Sequence, residues 1–336
     1  MHLVQLSGEP GRNVAIVREP QLILLRDVES VLALVRRSLA EDRTLTEMAE
    51  RCAGDESVSY DEVWEGRSPW KLLAPMDWPG NPQRILVSGT GLTHLGSARE
   101  RQAMHVAPPA QEEAAMTDSM KMFEWGRQKG RPEPGAIGIA PEWFYKGDGS
   151  VLRGPFAALE IPGHAEDGGE EAEVAAVYYV ADDGTPRRVG MATGNEFSDH
   201  IFERRNYLNL AGSKLRTCSI GPELVVDPAF EDVAGQVTIW RGEQALWRKA
   251  IRTGEANMCH SLANLEHHHF KFAGHRQPGT LHVHFMGADC LSFGEGIRLE
   301  AGDVTEIAFD GFGRPLRNVI AQGASVREPV RVQALR

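Results

Sequence analysis

Two glutamates separated by one small residue precede an apolar run that ends at Val180. Glu171 and Glu173 are followed by small, β-branched and aromatic residues, which predicts a strand. Side chains at positions i and i+2 of a strand face the same side, so the two carboxylates are expected to lie together. Such carboxylates repel each other unless a cation lies between them, and their oxygens suit Mg²⁺, Mn²⁺ or Ca²⁺. The spacing indicates a divalent-metal site, although a solvent-facing strand edge has the same pattern.

Two later segments extend this pattern and resemble a known family. Residues 194–200 read Gly-Asn-Glu-Phe-Ser-Asp-His, and residues 212–225 read Gly-Ser-Lys-Leu-Arg-Thr-Cys-Ser-Ile-Gly-Pro-Glu-Leu-Val. With the Glu-x-Glu pair they resemble the fumarylacetoacetate hydrolase superfamily, which has an Asn-Asp-x-Ser segment and then a lysine before an Ile-Gly-Pro strand start. The resemblance implies that Glu196 replaces the usual Asp and completes a metal triad with Glu171 and Glu173. It also implies Mg²⁺ as the cofactor, with Mn²⁺ or Ca²⁺ as substitutes.

The resemblance covers about residues 84 to 320. Further matching pieces are the strand from Ile85 to Leu92, the segment from Pro141 to Lys146, and the Gly-Asp and Gly-x-Gly segments between Gly302 and Asn318. It implies an α+β fold class, with a strand-rich catalytic domain built as a mixed β-sandwich or roll over residues 84–336. Residues 1–75 are then expected to form a small N-terminal α+β accessory domain.

The loop after the first matching strand separates two possible activities. Carbon–carbon hydrolases of this family activate water with a His and a Glu, and these positions fall here on Ser97 and Glu100. A serine is a poor general base near neutral pH without a partner, and His94 could replace the missing histidine only in a rebuilt loop. The resemblance therefore favours the branch that dehydrates 2-keto-3-deoxy sugar acids. A hydrolase acting on a 2,4-diketo-3-deoxy sugar acid is the alternative, and a non-catalytic metal-binding module is the third possibility.

The dehydratase interpretation requires an acid and a base close to the metal. Glu142 lies upstream of the metal pair, and Lys214 follows Glu196 at the spacing of that branch. Either residue could be the base that takes a C3 proton or the acid that protonates the leaving C4 hydroxyl. Arg216 could hold the substrate by a forked contact or form a structural ion pair. The other expected substrate contacts are Thr93, Ser97, Asn195 and Ser198.

Histidines are concentrated between His260 and His284. His282 and His284 at positions i and i+2 could face one way on a strand and suggest a zinc site. However, the consecutive histidines at 267–269 would point in different directions on a helix. We therefore predict no second metal site, and expect one of these histidines at most to reach the edge of the pocket.

The elements around these residues follow from local patterns. Strands are predicted at 13–17, 21–25 and 84–88, and helices at about 97–104, 111–129 and 254–272. A further helix is predicted from about Asp27, whose carboxylate could cap it, and Thr44 with Glu47 has the spacing of a capping box. The proline-rich segment 75–82 is the expected domain boundary.

Composition excludes several classes of function. The 336 residues carry a net charge of -11 with no concentrated basic segment, which argues against a nucleic-acid partner. No window is apolar enough to span a bilayer and the N-terminus does not resemble a signal peptide, so we expect a soluble, cytoplasmic protein. The four cysteines lie far apart, which predicts free thiols. The resemblance implies a homo-oligomer, built on dimers, that acts on a small keto-deoxy sugar acid.

Overall fold

A computed structural model of the chain describes residues 1–9, 11–105, 116–325 and 328–335. The first 75 residues form five short strands and three helices. The strands are β1 (His2–Gly8), β2 (Gly11–Arg18), β3 (Gln21–Leu25), β4 (Ala53–Ser59) and β5 (Lys71–Leu72). The helices are α1 (Val31–Ala40), α2 (Leu45–Cys52) and α3 (Tyr60–Trp64). The strands predicted at 13–17 and 21–25 are confirmed.

The first helix begins later than predicted, and the second begins as predicted. Ser30, rather than Asp27, caps α1, because the Ser30 hydroxyl accepts a hydrogen bond from the Ala33 N–H at 3.1 Å. Asp27 has a φ of 56° and lies in the turn before the helix. At the start of α2, Thr44 and Glu47 form the expected capping box.

The remaining helices of the described chain flank a strand-rich body. They are α4 (Leu95–His105), α5 (Asp118–Lys129), α6 (His200–Arg205), α7 (Leu210–Ser213) and α8 (Leu262–Phe270). The predicted helix at 111–129 therefore begins at Asp118, where Thr117 caps it, and residues 111–115 lie outside the described ranges. The predicted helix at 254–272 is shorter than expected, because Ser261 caps α8 and only one 3₁₀ turn precedes it. No helix within the described ranges has the length and apolar character needed to cross a membrane.

Two sheets contain the strands. The strands after residue 75 are β6 (Ile85–Gly91), β7 (Glu142–Asp148), β8 (Leu152–Arg153), β9 (Leu159–Ile161), β10 (Ala172–Val180), β11 (Pro186–Asn195), β12 (Cys218–Ile220), β13 (Leu224–Val225), β14 (Val233–Arg241), β15 (Gln244–Thr253), β16 (Leu281–Phe285), β17 (Val304–Phe309) and β18 (Leu316–Gln322). A 13-stranded sheet has the main order β4-β3-β2-β1-β13-β11-β10-β16-β6-β7, and a 5-stranded sheet has the order β15-β14-β17-β18-β9. Pairing is mostly antiparallel, with β6 parallel to β16. The strand-rich α+β class with mixed sheets is confirmed.

Strand β10 is buried along its whole length because both faces of the large sheet are covered at its centre. Val174, Ala176 and Tyr178 pack into a core shared with the 5-stranded sheet. Ala175 and Val177 pack into a second core on the opposite face, shared with helices α1 and α2. A strand whose two faces are both buried has an almost continuous apolar sequence instead of alternating polar and apolar residues. The sequence of β10 after Glu173 follows this rule.

The N-terminal strands extend the large sheet. His2 and Leu3 of β1 pair with Val225 and Leu224 of β13, and the side chain of Leu3 lies in the same core as Ala175. Backbone hydrogen bonds and side-chain packing therefore join residues 1–75 to the rest of the chain. The accessory domain and its boundary at 75–82 stay a prediction.

Candidate metal centre

The start of β10 and the end of β11 bring three glutamates together. The two strands are antiparallel, with Glu173 opposite Gly194, so Glu171 and Glu196 lie just beyond the same end of the ladder. Each of the three carboxylates offers an oxygen within 4.8 Å of the others, and all three are buried. Within the ranges that the structure describes, no other group of three or more His, Cys, Asp or Glu side chains is arranged in this way. The structure thus groups the predicted metal ligands.

Glu173 reveals the electrostatic cost of this arrangement. Burial, followed by repulsion from Glu171 and Glu196, raises the pKa of the Glu173 carboxyl well above its usual range. A backbone N–H of Gly287 donates to its Oε2 at 2.6 Å, but no cation among the described side chains pairs with it. Glu173 is therefore the carboxylate of the three that most needs a positive charge.

Lys214 compensates the other two carboxylates. Its Nζ donates to Glu171 Oε1 at 2.6 Å, to Ser198 Oγ at 2.9 Å, and to Glu196 Oε2. Burial disfavours the charged amine, but Glu171 and Glu196 outweigh it and raise the pKa of Lys214. Burial likewise opposes ionisation of Glu171, yet Lys214 and His200 hold the pKa of Glu171 well below its usual range. Lys214 is thus an ammonium ion in direct contact with two predicted ligands.

Strand β7 supplies a second lysine that the sequence analysis did not assign to the site. Lys146 donates to Glu196, to the backbone oxygen of Phe197 at 3.0 Å and to that of Lys214 at 2.9 Å, and it is fully buried. Glu142 and Phe144 lie on the same face of β7, and the Phe144 ring centroid lies 4.5 Å from Lys214 Nζ. The sequence feature that could have indicated Lys146 is its position two residues after Phe144 and four residues after Glu142, on the same face of a strand.

The predicted acid or base Glu142 belongs to a neighbouring buried network. Its Oε2 accepts from Arg101 Nη1 at 3.0 Å, and its Oε1 accepts from the Tyr207 hydroxyl. The same Arg101 nitrogen lies 3.4 Å from Glu203 Oε1. Burial raises the pKa of Glu142, and the charge of Arg101 partly opposes this effect. The structure places Glu142 at a carboxylate-rich edge of the centre, with two donors directed at it.

Asn195 and Ser198 contact the triad directly. The Asn195 Oδ1 accepts a hydrogen bond from the Glu171 backbone N–H at 3.3 Å. The Ser198 hydroxyl donates to Glu196 Oε2 at 2.9 Å and accepts from Lys214. Both side chains hydrogen-bond to predicted metal ligands, and their expected contact with substrate stays a prediction.

The other three expected substrate contacts are occupied by structural partners. Arg216 donates to Asp199 Oδ2 at 3.1 Å and to the Asp167 backbone oxygen at 2.7 Å, which is the structural ion pair considered as its alternative role. The Thr93 hydroxyl donates to the Met286 backbone oxygen at 2.8 Å. The Ser97 hydroxyl donates to the His94 backbone oxygen at 3.2 Å. None of these contacts reaches the triad.

His200 is a further neighbour whose role the sequence analysis missed. Its Nε2 lies 3.0 Å from Glu171 Oε1, and the side chain is buried. Burial disfavours protonation of the ring, but the contact with Glu171 outweighs it and raises the pKa of His200. His200 lies only four positions after Glu196, within the segment 194–200 that matches the family pattern. That position is the sequence feature that could have indicated its role.

The histidines after residue 260 satisfy one another and nearby hydroxyls. Both ring nitrogens of His284 lie 2.8 Å from hydroxyls, one from Ser88 and one from Thr90. His269 Nε2 lies 2.9 Å from His282 Nδ1. These buried rings form a hydrogen-bonded cluster, and the described residues give no group of three histidines with converging ligand atoms.

The buried charges around the triad are unbalanced. Five carboxylates and three cations make up the set, namely Glu142, Glu171, Glu173, Glu196 and Glu203 with Arg101, Lys146 and Lys214. The carboxylates of this set outnumber its cations, and the raised pKa of Glu173 reflects burial together with that excess. Uncompensated buried charge is strongly unfavourable, and oxygen donors suit Mg²⁺. The donor set therefore fits a divalent ion held by Glu171, Glu173 and Glu196.

The chain is similar to known proteins in its fold, at low sequence identity. No family model matches the chain, and no curated protein matches it. Solved structures of 2-keto-3-deoxy-D-arabinonate dehydratase are similar. The apo form has a TM-score of 0.70 at 16% identity over 97% of this chain and 100% of that chain, and the complex with magnesium and 2,5-dioxopentanoate has 0.69 at 16% over 96% and 99%. The 5-carboxymethyl-2-hydroxymuconate delta-isomerase from Mycobacterium smegmatis has a TM-score of 0.58 at 17% identity over 97% and 100%. The chain has the fold that these enzymes share, as the family resemblance implied.

Proposed function

We propose that this protein is a metal-dependent dehydratase of the fumarylacetoacetate hydrolase superfamily. Its proposed substrate is a 2-keto-3-deoxy-pentonate of the arabinonate or xylonate type, and its product is 2,5-dioxopentanoate. The observation that carries the proposal is the buried Glu171, Glu173 and Glu196 group, in which no described cation pairs with Glu173. The shared fold with a dehydratase whose structure contains magnesium and 2,5-dioxopentanoate supports the same choice.

The three glutamates would hold a Mg²⁺ ion. When bound, the ion would bind a 2-keto carboxylate and stabilise the negative charge that develops when a proton leaves C3. Asn195 and Ser198 would keep Glu171 and Glu196 oriented, since each is hydrogen-bonded to one of these residues. Burial of the whole group excludes water and strengthens each of these interactions.

Proton transfer would fall to Glu142 and Lys214. Glu142 is the acceptor in its hydrogen bonds with Arg101 and Tyr207. Its raised pKa makes it a stronger base than an exposed carboxylate. Lys214 is the donor in all its side-chain contacts and carries a proton on Nζ. We therefore assign Glu142 to removal of the C3 proton and Lys214 to protonation of the leaving C4 hydroxyl. The C3–C4 double bond formed in this way gives the semialdehyde after a proton moves from C5 to C3 and the resulting C4–C5 enol tautomerises.

The alternative is hydrolysis of a carbon–carbon bond in a 2,4-diketo-3-deoxy sugar acid. That reaction needs a water-activating pair at positions 97 and 100. Here Ser97 bonds to the His94 backbone, and Glu100 Oε2 accepts from the Leu291 N–H at 2.8 Å. These contacts do not form an acid–base pair, so they favour dehydration.

Product analysis tests the proposal. The purified enzyme with Mg²⁺ is incubated with a panel of 2-keto-3-deoxy-pentonates and 2,4-diketo-3-deoxy sugar acids, and carbonyl products are identified by mass. We expect a semialdehyde from a pentonate, and none from the Glu142→Gln variant. Pyruvate together with a hydroxy acid would instead establish the hydrolase, and the absence of any product would favour a metal-binding protein without catalysis.

A further inference from the structure

Glu203 is a buried carboxylate without a hydrogen-bond donor among the described residues. Both of its side-chain oxygens are enclosed and lack a hydrogen-bond partner, and the residue is 1% exposed. Its nearest cation is Arg101, whose Nη1 lies 3.4 Å from Oε1, but that nitrogen hydrogen-bonds to Glu142 instead. Buried acceptors without donors are costly and uncommon in folded proteins. A donor from outside the described residues is therefore expected in the working enzyme.

The position of Glu203 points to a ligand of the metal centre. Glu203 follows His200 by three residues on α6, so the two side chains lie on one face of the helix. On that face His200 contacts the metal ligand Glu171. Glu203 itself lies across Arg101 from Glu142, the proposed base. The Glu203 carboxylate thus shares Arg101 with the proposed base and lies beside the acid–base pair.

We infer that Glu203 accepts a hydrogen bond from a substrate hydroxyl and selects 2-keto acids with a hydroxylated, uncharged tail. The inference rests on the proposed function and identifies the part of the substrate that Glu203 reads. In a 2-keto-3-deoxy-pentonate, C3 and C4 belong to the acid–base pair, which leaves the C5 hydroxyl as the donor. A carboxylate at C5 would meet the negative charges of Glu142 and Glu203, and an unpaired buried charge opposes binding.

Three probe acids isolate this contact without turnover. They are 5-hydroxy-2-oxopentanoate, 2-oxopentanoate and 2-oxoglutarate, which end in a hydroxyl, a methyl and a carboxylate respectively. None carries a C4 hydroxyl, so none can lose water. Calorimetric titration in Mg²⁺ should show that wild type binds the hydroxyl acid about 10- to 100-fold more tightly than the methyl acid, as for a hydrogen bond to a charged group. The carboxylate acid should bind most weakly.

The variant Glu203→Met keeps the side-chain length and removes the acceptor. We expect the hydroxyl and methyl acids to bind it within about 3-fold of each other. Glu203→Gln retains one acceptor oxygen, and it should give an intermediate preference if the Met variant does not fold. Glu223→Gln neutralises a buried glutamate outside the centre, where it contacts His2 and Tyr60, and should keep the wild-type preference.

The outcomes separate this inference from the proposed function. If wild type shows no preference for the hydroxyl acid, or if Glu203→Met retains the preference, Glu203 does not bind the hydroxyl and the inference is wrong. If the preference depends on Glu203 but no pentonate yields a semialdehyde, the inference holds and the proposed dehydration fails. If none of the acids binds in Mg²⁺, the inference is overturned, while product analysis with the pentonates decides the proposed dehydration separately.

Discussion

Gly91 and Glu142 face each other across the antiparallel strands β6 and β7, with no room for a side chain at Gly91. A β-carbon at that position would lie 1.7 Å from Glu142 Oε2. Such a contact is far inside van der Waals distance, so any other residue must displace the carboxylate. The absence of a side chain at Gly91 thus fixes where the proposed base can lie.

The first prediction is that Gly91→Ala displaces Glu142 and lowers turnover by about 100-fold, as a small misplacement of a catalytic group can do. Steady-state assays for the semialdehyde would measure this change. Gly274→Ala is the matched control, because a β-carbon there meets nothing within 4 Å. Equal turnover of Gly91→Ala and wild type would show that the position of Glu142 does not limit the reaction.

The second prediction concerns the metal ligands. Mn²⁺ should raise the melting temperature of wild type, since an ion that binds only the folded state stabilises it. Glu173→Gln should weaken Mn²⁺ binding by at least the roughly 10- to 100-fold that loss of an outer-shell contact costs. Glu170→Gln is the control, because Glu170 is a buried neighbour whose carboxylate bonds to Ser292. Full activity after exhaustive chelation, or wild-type turnover in Glu173→Gln, would contradict the assigned triad.

The third prediction distinguishes proton transfer from charge compensation at Lys214. Lys214→Met should lower turnover by about two to four orders of magnitude, as for loss of an acid–base group. The variant should also bind Mn²⁺ more tightly, because Lys214 no longer forms ion pairs with the carboxylates of Glu171 and Glu196. Calorimetry with Mn²⁺ and a semialdehyde assay at saturating metal would measure both effects.

Lys146→Met provides the comparison, since it removes a second positive charge from Glu196. It also loses hydrogen bonds to two backbone oxygens, so a lower melting temperature is expected with a smaller loss of turnover in the folded enzyme. Turnover of Lys214→Met within about tenfold of wild type would mean that Lys214 only offsets the charge of the carboxylates.

The fourth prediction is a loss of stability in mild acid through buried histidines. Burial lowers the pKa of His284 to about 3, below its ordinary value of 6.5. At mildly acidic pH His284 is therefore protonated in the unfolded chain and neutral in the folded protein. The free energy of unfolding falls as pH drops from the pKa of His284 in the unfolded chain towards its pKa in the folded protein. Between about pH 7.5 and about pH 5 this residue should account for about 2 kcal/mol of the decrease.

Urea unfolding of wild type and His284→Gln at both pH values measures this contribution. Burial similarly lowers the pKa of His94 and of His260 to about 4, so the variant should retain part of the decrease. An identical decrease in wild type and variant would show that His284 does not resist protonation.

The fifth prediction is that the protein forms a homo-oligomer, built on dimers. Two large apolar side chains next in sequence to residues of the candidate site are exposed, namely Leu208 after Tyr207 at 86% and Leu215 after Lys214 at 53%. Burying such surface favours association. Light scattering over a wide concentration range should give a multiple of the 37.0 kDa chain mass. A monomer mass throughout would refute the prediction.

Local patterns predicted the parts of the site that depend on neighbours in sequence. The period of two on a strand indicated that Glu171 and Glu173 converge, and the Asn195–Ser198 segment indicated Glu196. By contrast, Glu196 meets Lys146 across 50 positions and Glu142 meets Arg101 across 41. Such pairs depend on the order of strands and on how α4 packs, which no short spacing encodes.

The same distinction applies to the fold. The capping box at Thr44 was readable because both partners lie within one helical turn. The start of α1 was misplaced because Asp27 and Ser30 are both good caps, and only the turn geometry at Asp27 decides between them. The pairing of β1 with β13 joins strands that are far apart in the sequence, with His2 opposite Val225, and no local pattern indicates it.

That pairing matters for anyone choosing where to truncate the gene. A shortened chain beginning near residue 84 would leave β13 without β1, so backbone N–H and C=O groups of Leu224 and Val225 would lose their partners. It would also uncover apolar side chains such as Val189 and Leu281, which now pack in a core with the N-terminal helices. An unprotected strand edge beside apolar surface recruits other chains. The N-terminal segment therefore acts as a cover against aggregation as well as an extension of the sheet.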